Sequence, residues 1–211
     1  MSGRVDAVCI VHADLPSPRP VGVTSIDKRP RPGRHAVDPM GLVDDHVCDT
    51  DHHGGVDQAV YAYAEEEAAR WSSEIEKPVP AGWFGENLRV SGIAVTDAVI
   101  GQRWHLDNVV LEVTAPRIPC ATFQRWTDEE HWVRRFTLRS DVGAYLRVVE
   151  PGTIGAGDTI DIGYTPEHGV TVRDLFVGTD LDRLIRLETE PSLSAKVRGK
   201  ISHILERAGK R

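Results

Sequence analysis

Residues 115–123 read APRIPCATF. Pro116 and Pro119 fix their own φ and push Ala115 and Ile118 toward extended backbone. The thiol of Cys120 is therefore offered in one direction by a stiff segment. Arg117, three residues earlier, suits an anion beside the sulfur or favours the thiolate form. A thiolate serves as nucleophile, redox group or soft metal ligand. A free cysteine just as readily fills buried space, and these residues alone leave both readings open.

Three other groupings carry chemistry. In DHHGGVDQAV (51–60), His52 and His53 are adjacent, so in an extended chain they point to opposite faces and do not easily share a metal. Gly54 and Gly55 permit close backbone approach and offer N–H groups to a phosphate; the plainer reading is a loop leading into a strand. In GWFGENLRVSG (82–92), Glu86 and Asn87 stand at the mouth of a strand and suit the edge of a heteroaromatic ring. The plainer reading there is a glycine-punctuated turn with Trp83 and Phe84 in the core. Between residues 44 and 53, His46, Cys48, His52 and His53 mix with Asp44, Asp45, Asp49 and Asp51, but the spacing fits no common zinc pattern and HExxH is absent. The glycines of PGTIGAGDTIDIG (151–163) precede a strand, not a helix, which excludes a dinucleotide fingerprint. No GxSxG, P-loop or EF-hand occurs.

Elements must position these groups. Apolar alternation predicts strands at 5–12, 21–26, 58–64, 87–93, 109–115, 143–150 and 158–164. Residues 29–41 hold too many Pro and Gly breaks for any regular element. Helical spacing of Ala68, Trp71 and Ile75, with Glu65, Glu66 and Glu67 at the positive end of the dipole, predicts a helix over 65–76. A second is predicted over 126–136, with Thr127 as cap and Glu130 completing a capping box. After Tyr164 short helices follow at 170–176, 180–187 and 192–209; in the last, Val197, Ile201, Ile204, Leu205 and Ala208 form an apolar stripe suited to the barrel or a second subunit. Many short strands with few helices predict a mainly β fold with α elements, a β-barrel core and a soft boundary near residue 166. No internal repeat occurs.

Composition narrows the function. A formal net charge of −7 over 211 residues speaks against general nucleic-acid binding. Three cysteines without a CxxC pair fit neither a disulfide framework nor a four-cysteine zinc site. The opening MSGRVDAVCIVHADLP is too polar for a signal peptide, and no run approaches the roughly 18 apolar residues of a membrane span. The expectation is a soluble cytoplasmic protein with reduced thiols and no membrane partner.

Four ordered segments, GLVDDHVCDTDHHGGVDQAVYAY (41–63), GWFGENLRVSGI (82–93), VTAPRIPCATF (113–123) and GAYLRVVEPGTIGAGDTI (143–160), resemble the MOSC domain family, named from the C-terminal domain of molybdenum-cofactor sulfurases, and within it the stand-alone bacterial YiiM-type group. The resemblance covers roughly residues 5–163, and the helical tail, with HGVTVRDLF at 168–176, is similar to a shortened version of that group's three-helix extension. It implies a MOSC β-barrel over 1–165 with peripheral helices, and a short helical extension over 166–211. It implies a molybdenum cofactor (molybdopterin), with Cys120 as metal ligand and Arg117, His53, Gly54, Gly55, Glu86 and Asn87 around the pterin and its phosphate. Gln58 stands where many relatives place lysine, and Lys28 or Arg29 is a candidate to supply the charge. No PLP site of a full sulfurase is expected. The implied activity is reduction of N-hydroxylated bases or related small molecules, fed by an external electron-donor protein; the alternative is a cofactor carrier or sulfur-transfer module. The apolar stripe of the tail adds the expectation of a homodimer.

Overall fold

The computed structural model describes residues 2–18, 21–51 and 53–210. The strands are β1 (Ser2–Pro16), β2 (Val23–Pro30), β3 (Arg34–Asp38), β4 (Gly41–Leu42), β5 (Val60–Ala64), β6 (Leu88–Ser91), β7 (Arg103–Leu106), β8 (Val109–Pro116), β9 (Ala144–Glu150), β10 (Gly152–Gly155) and β11 (Thr159–Ile162). The α-helices are α1 (Glu65–Ile75), α2 (Ala121–Thr127), α3 (Trp132–Arg139), α4 (Val172–Val177), α5 (Leu181–Glu188) and α6 (Ala195–Arg207), and a 3-10 turn covers Val56–Gln58.

The main sheet runs β11-β7-β8-β9-β5-β6-β1-β2 and is closed by pairing of β1 with β11, leaving a seven-stranded mixed barrel with β2 appended. Closure removes the sheet edges that would otherwise need protection. Fifteen-residue β1 makes this possible: its first part pairs with β11 and β6, and its far part pairs with β2 through two register shifts. β5 and β6 are parallel, and α1 makes the crossover that a parallel pair requires. Residues 29–41 do contain strands: β3 pairs with β4 and with β10 in a small separate sheet. Their alternation is short and split by Pro and Gly, and the partner strand β10 lies more than a hundred residues away.

Helix α1 forms where the sequence places it, and Ala68, Trp71 and Ile75 face the core. The predicted helix over 126–136 is broken in two. Thr127 ends α2, and Asp128 and His131 adopt left-handed backbone at φ 52° and 54°, so no capping box forms with Glu130. Phe123 and Trp132 are nine residues apart, about two and a half turns, and on one straight helix would face opposite ways. The break lets both enter one aromatic cluster, with ring centres 5.5 Å apart. Trp71, Trp83, Phe84 and Phe136 join it, and the indole of Trp126 donates to the Trp83 carbonyl at 2.7 Å.

In the tail, Val197, Ile201 and Leu205 are buried and Ile204 packs partly against the same core, whereas Ala208 is exposed. α6 packs on α5, whose Leu184 and Leu187 are also buried. The stripe is covered by the chain itself and so lends no support to a homodimer. Among the described residues no helix is long and apolar enough to cross a membrane.

Candidate functional site

Strand β8 ends at Pro116, and the chain then runs extended through Cys120, whose φ of −134° and ψ of 172° make it the residue that opens α2. Its half-buried thiol lines a cavity of about 800 Å³ together with His53, Gly54, Gly55, Gln58, Asn87 and Arg117. That volume lies within the range of pockets that enclose a small-molecule ligand. Burial raises the thiol pKa, but a hydrogen bond with His53, the charge of Arg117 and the Phe123 backbone N–H outweigh it and bring Cys120 down to about 7. Cys9 and Cys48 move the other way, pushed up chiefly by burial.

Arg117 is 7 % exposed. Its guanidinium carbon lies 3.8 Å from the centre of the Phe123 ring and 5.7 Å from that of Tyr61. Among the described residues no carboxylate pairs with it, and its Nη1 is buried without a hydrogen-bond partner. A buried, unsatisfied cationic donor on a cavity wall calls for an acceptor from outside the chain.

Another part of the wall is built on the 3-10 turn and the diglycine that precedes it. Gly54 and Gly55 have φ of 74° and 79°, and at Gly55 nothing lies within 4 Å of where a Cβ would stand, so the diglycine leaves the backbone bare to the cavity. The turn is tied down from below: the Thr114 hydroxyl donates to the Asp57 carbonyl at 2.6 Å and also lies 2.9 Å from the Tyr145 carbonyl.

A model of the MOSC domain matches residues 49–161, more than half of the chain. The chain belongs to the MOSC domain family. It is 30% identical over 150 residues to the uncharacterized protein YflK of Bacillus subtilis (strain 168), covering 71% of this chain and 68% of YflK. It is 25% identical over 126 residues to YiiM of Escherichia coli (strain K12), 58% of this chain and 56% of YiiM. It is 32% identical over 126 residues to a protein of Gibberella moniliformis named Reductase, 57% of this chain but only 22% of that protein. In structure it resembles YiiM from Geobacillus stearothermophilus, with a TM-score of 0.79 at 21% identity over 96% of this chain and 99% of that one. The MOSC domain is in general a molybdenum-cofactor-binding domain.

Within this MOSC fold the site residues separate. Cys120, Arg117, His53, Gly54, Gly55 and Asn87 meet at one cavity, whereas Glu86 and Lys28 do not line it. Glu86 is fully buried, and both its oxygens are engaged: it accepts from the N–H of Gly82 at 2.7 Å and Phe84 at 2.9 Å, and from Arg89 at 2.7 Å and 2.9 Å. It knots its own turn and does not reach the cavity surface. Gly82 is obligatory there, because a Cβ would stand 2.0 Å from the Lys28 carbonyl. Lys28 is buried in an ion pair with Asp45, and burial lowers its pKa. The expectation that it supplies phosphate charge in place of residue 58 does not hold, because its ammonium is spent inside the wall.

Asp45 had no role in the sequence reading beyond possible zinc ligation. It pairs with Lys28 and accepts from Asn87 Nδ2 and Val11 N–H, both at 2.8 Å. It therefore locks β1, β2, the 43–55 loop and Asn87 into one wall. Asn87 in turn accepts from the Tyr61 N–H at 3.1 Å. Cavity residues Tyr61, Tyr145, Arg125 and Lys196 were also missed. Alternation in the strands around 61 and 145 carries a signal for the tyrosines; nothing local marks Lys196. Of the histidine–cysteine set, His46 and Cys48 meet Asp14 at the rim, at 2.8 Å and 3.5 Å, without His53; His52 lies outside the described residues.

Proposed function

We propose that the protein is a molybdenum-cofactor-dependent oxidoreductase that reduces N-hydroxylated bases or related small N-hydroxy compounds. The observation that carries this reading is the pairing of a thiol poised near neutrality with a buried guanidinium whose Nη1 lacks a partner, on the wall of one ligand-sized cavity. The donor set fits the cofactor: a soft thiolate for the metal, Arg117 and the bare diglycine for a phosphate, and Asn87 among the polar groups on the wall.

When bound, the cofactor supplies two-electron redox chemistry at a metal. The protein's part is orientation and charge. The Cys120 proton must leave before the sulfur ligates a metal, and with a pKa of about 7 roughly half is gone at neutral pH. His53 and Arg117 favour the anion that remains. Tyr61 and Phe123 hold Arg117 in one place, so its charge meets the ligand with little reorganisation. The overall change is R–NHOH plus two electrons and two protons giving R–NH2 and water, with the N–O bond cleaved. This reading assigns the electrons to an external donor protein, because the sequence shows no flavin, haem or iron–sulfur motif. The relative named Reductase, of which this chain matches a minor part, agrees with a reductive role shared with other protein units.

The test is protein produced in a cofactor-competent host, analysed for molybdenum and assayed with a hydroxylaminopurine and a chemically reduced donor. Stoichiometric metal and product amine, both lost in Cys120→Ala, support the reading. Metal without turnover on any N-hydroxy compound favours the carrier or sulfur-transfer alternative. Absence of metal overturns both.

A further inference from the structure

We propose that Asp14, His46 and Cys48 form a binding site for a zinc-like divalent cation at the rim of the cavity, using neither Cys120 nor His53. The site stands on its own residues and does not depend on the function proposed above.

The three donors come from two parts of the chain: Asp14 from the far part of β1, and His46 and Cys48 from the 43–55 loop. His46 Nε2 lies 2.8 Å from Asp14 Oδ1, and Cys48 Sγ lies 3.5 Å from the same oxygen. All three ligand atoms stand within 4.8 Å of one another, and no other three His, Cys, Asp or Glu among the described residues do so. Around a tetrahedral zinc ion, bonds of about 2.0–2.3 Å set neighbouring ligand atoms about 3.3–3.6 Å apart. The Cys48–Asp14 separation already fits, and the His46–Asp14 pair opens by about half an ångström. An imidazole nitrogen and a thiolate sulfur select a zinc-like ion over magnesium or calcium. Thiolate and carboxylate together carry two negative charges, which one divalent ion balances once the thiol proton has left.

The donors are held in advance. Asp45, next to His46, accepts from the Val11 N–H at 2.8 Å and pairs with Lys28, which pins the loop to β1 three residues from Asp14. β1 shifts register against β2 on either side of Ala13, and such irregularities re-aim side chains. The buried Ser25 of β2 hydrogen-bonds Cys48, an outer partner of the kind that orients a metal ligand. Asp14 and His46 are exposed, so an ion has a way in. His46 and Cys48 line the cavity, and three protein ligands leave a fourth position to water or to an oxygen of a cavity ligand. Asp14 lies 32 residues from His46, which is why spacing along the chain shows no metal pattern.

The experiment titrates the full chain, with thiols reduced and after dialysis against a chelator, with Zn2+ in competition with a chromophoric chelator. A parallel titration uses Co2+, whose absorption reports thiolate ligation and tetrahedral geometry. One equivalent of Zn2+ and a Co2+–thiolate band are expected in the wild type. Cys120→Ala, which removes the other thiol of the cavity, is expected to keep both. Cys48→Ala and His46→Ala are expected to weaken Zn2+ binding at least about a hundredfold, since outer-shell partners alone carry 10–100-fold. The thermal midpoint of the metal-free protein should stay within a degree or two of wild type in both, and Zn2+ should raise it only in proteins that keep the site. A thiolate band lost in Cys120→Ala and kept in Cys48→Ala would overturn the proposal, as would Zn2+ affinity equal in wild type and Cys48→Ala. Neither result touches molybdenum content or turnover, so the proposed function stands or falls separately.

Discussion

The guanidinium of Arg117 lies flat enough on Phe123 that its carbon is 3.8 Å from the ring centre. One residue lies three before Cys120 and the other three after it, so the arginine, the thiol and the first turn of α2 form one unit. Removing the ring frees the guanidinium; removing the guanidinium takes away the charge that lowers the thiol pKa.

Arg117→Ala should therefore reduce cofactor retention by about tenfold or more and also raise the Cys120 pKa. Arg117→Lys should recover only part of the retention, since an ammonium cannot stack on Phe123 or offer two parallel donors. Pterin content per protein checks the first effect and thiol titration the second. Equal retention in all three proteins would show that Arg117 does not touch the ligand.

Cys120 should be the fast-reacting thiol of the apo-protein. Its alkylation rate should rise with pH through about 7, while Cys9 and Cys48, pushed upward, react late. Because the folded pKa is depressed below that of the free thiol, Cys120 adds stability that is present above the unfolded value and is lost as pH falls through about 7. Iodoacetamide kinetics with mass-spectrometric assignment of the site are the measurement. A first-labelled site other than Cys120 would contradict the electrostatic account of this wall.

Glu86 should behave as a fold residue. Glu86→Ala leaves Arg89 buried with two of its five hydrogen bonds gone and two N–H groups of the 82–84 turn unpaired. A loss of about 3–5 kcal/mol is expected from breaking a buried ion pair, read as a shift in the urea midpoint. A variant of wild-type stability that has lost only its cofactor would restore the pterin-edge role for this carboxylate.

Glu67 carries a pH effect of the opposite sign. It was expected only to favour the start of α1, yet it is buried, accepting from the Thr96 hydroxyl at 2.9 Å, and burial lifts its pKa to about 7. Raised above its unfolded value, it contributes stability that is full below about 4.5 and is lost as pH rises through about 7. Glu67→Gln should remove that slope and stabilise the protein above neutrality by up to about 3 kcal/mol. Chemical denaturation at pH 5 and pH 8 checks it; an unchanged slope would mean that Glu67 does not titrate there.

Ile201→Asp with Leu205→Asp should destabilise the chain strongly, since both positions are buried within it. The readout is the thermal midpoint, and unchanged stability would place α6 elsewhere.

Local patterning alone determined most of the elements and the centre of the site. Alternation marked β5, β8 and β9, helical spacing marked α1, and two prolines around an arginine marked Cys120, because each depends on neighbours within a few residues. The order of four short motifs then pointed to the MOSC fold. What local patterning could not reach depends on partners distant in the chain. Glu86 and Asn87 are adjacent, yet Arg89 and the Gly82 turn pull one inward while Asp45 and Tyr61 hold the other at the cavity. Lys28 looked available until Asp45 met it across 17 residues. The helix after Cys120 breaks because Phe123 and Trp132 must both reach one aromatic core. Lys196 joins Gln58 across 138 residues, a distance over which only the docking of α6 on the rest of the chain decides which side chain faces the cavity.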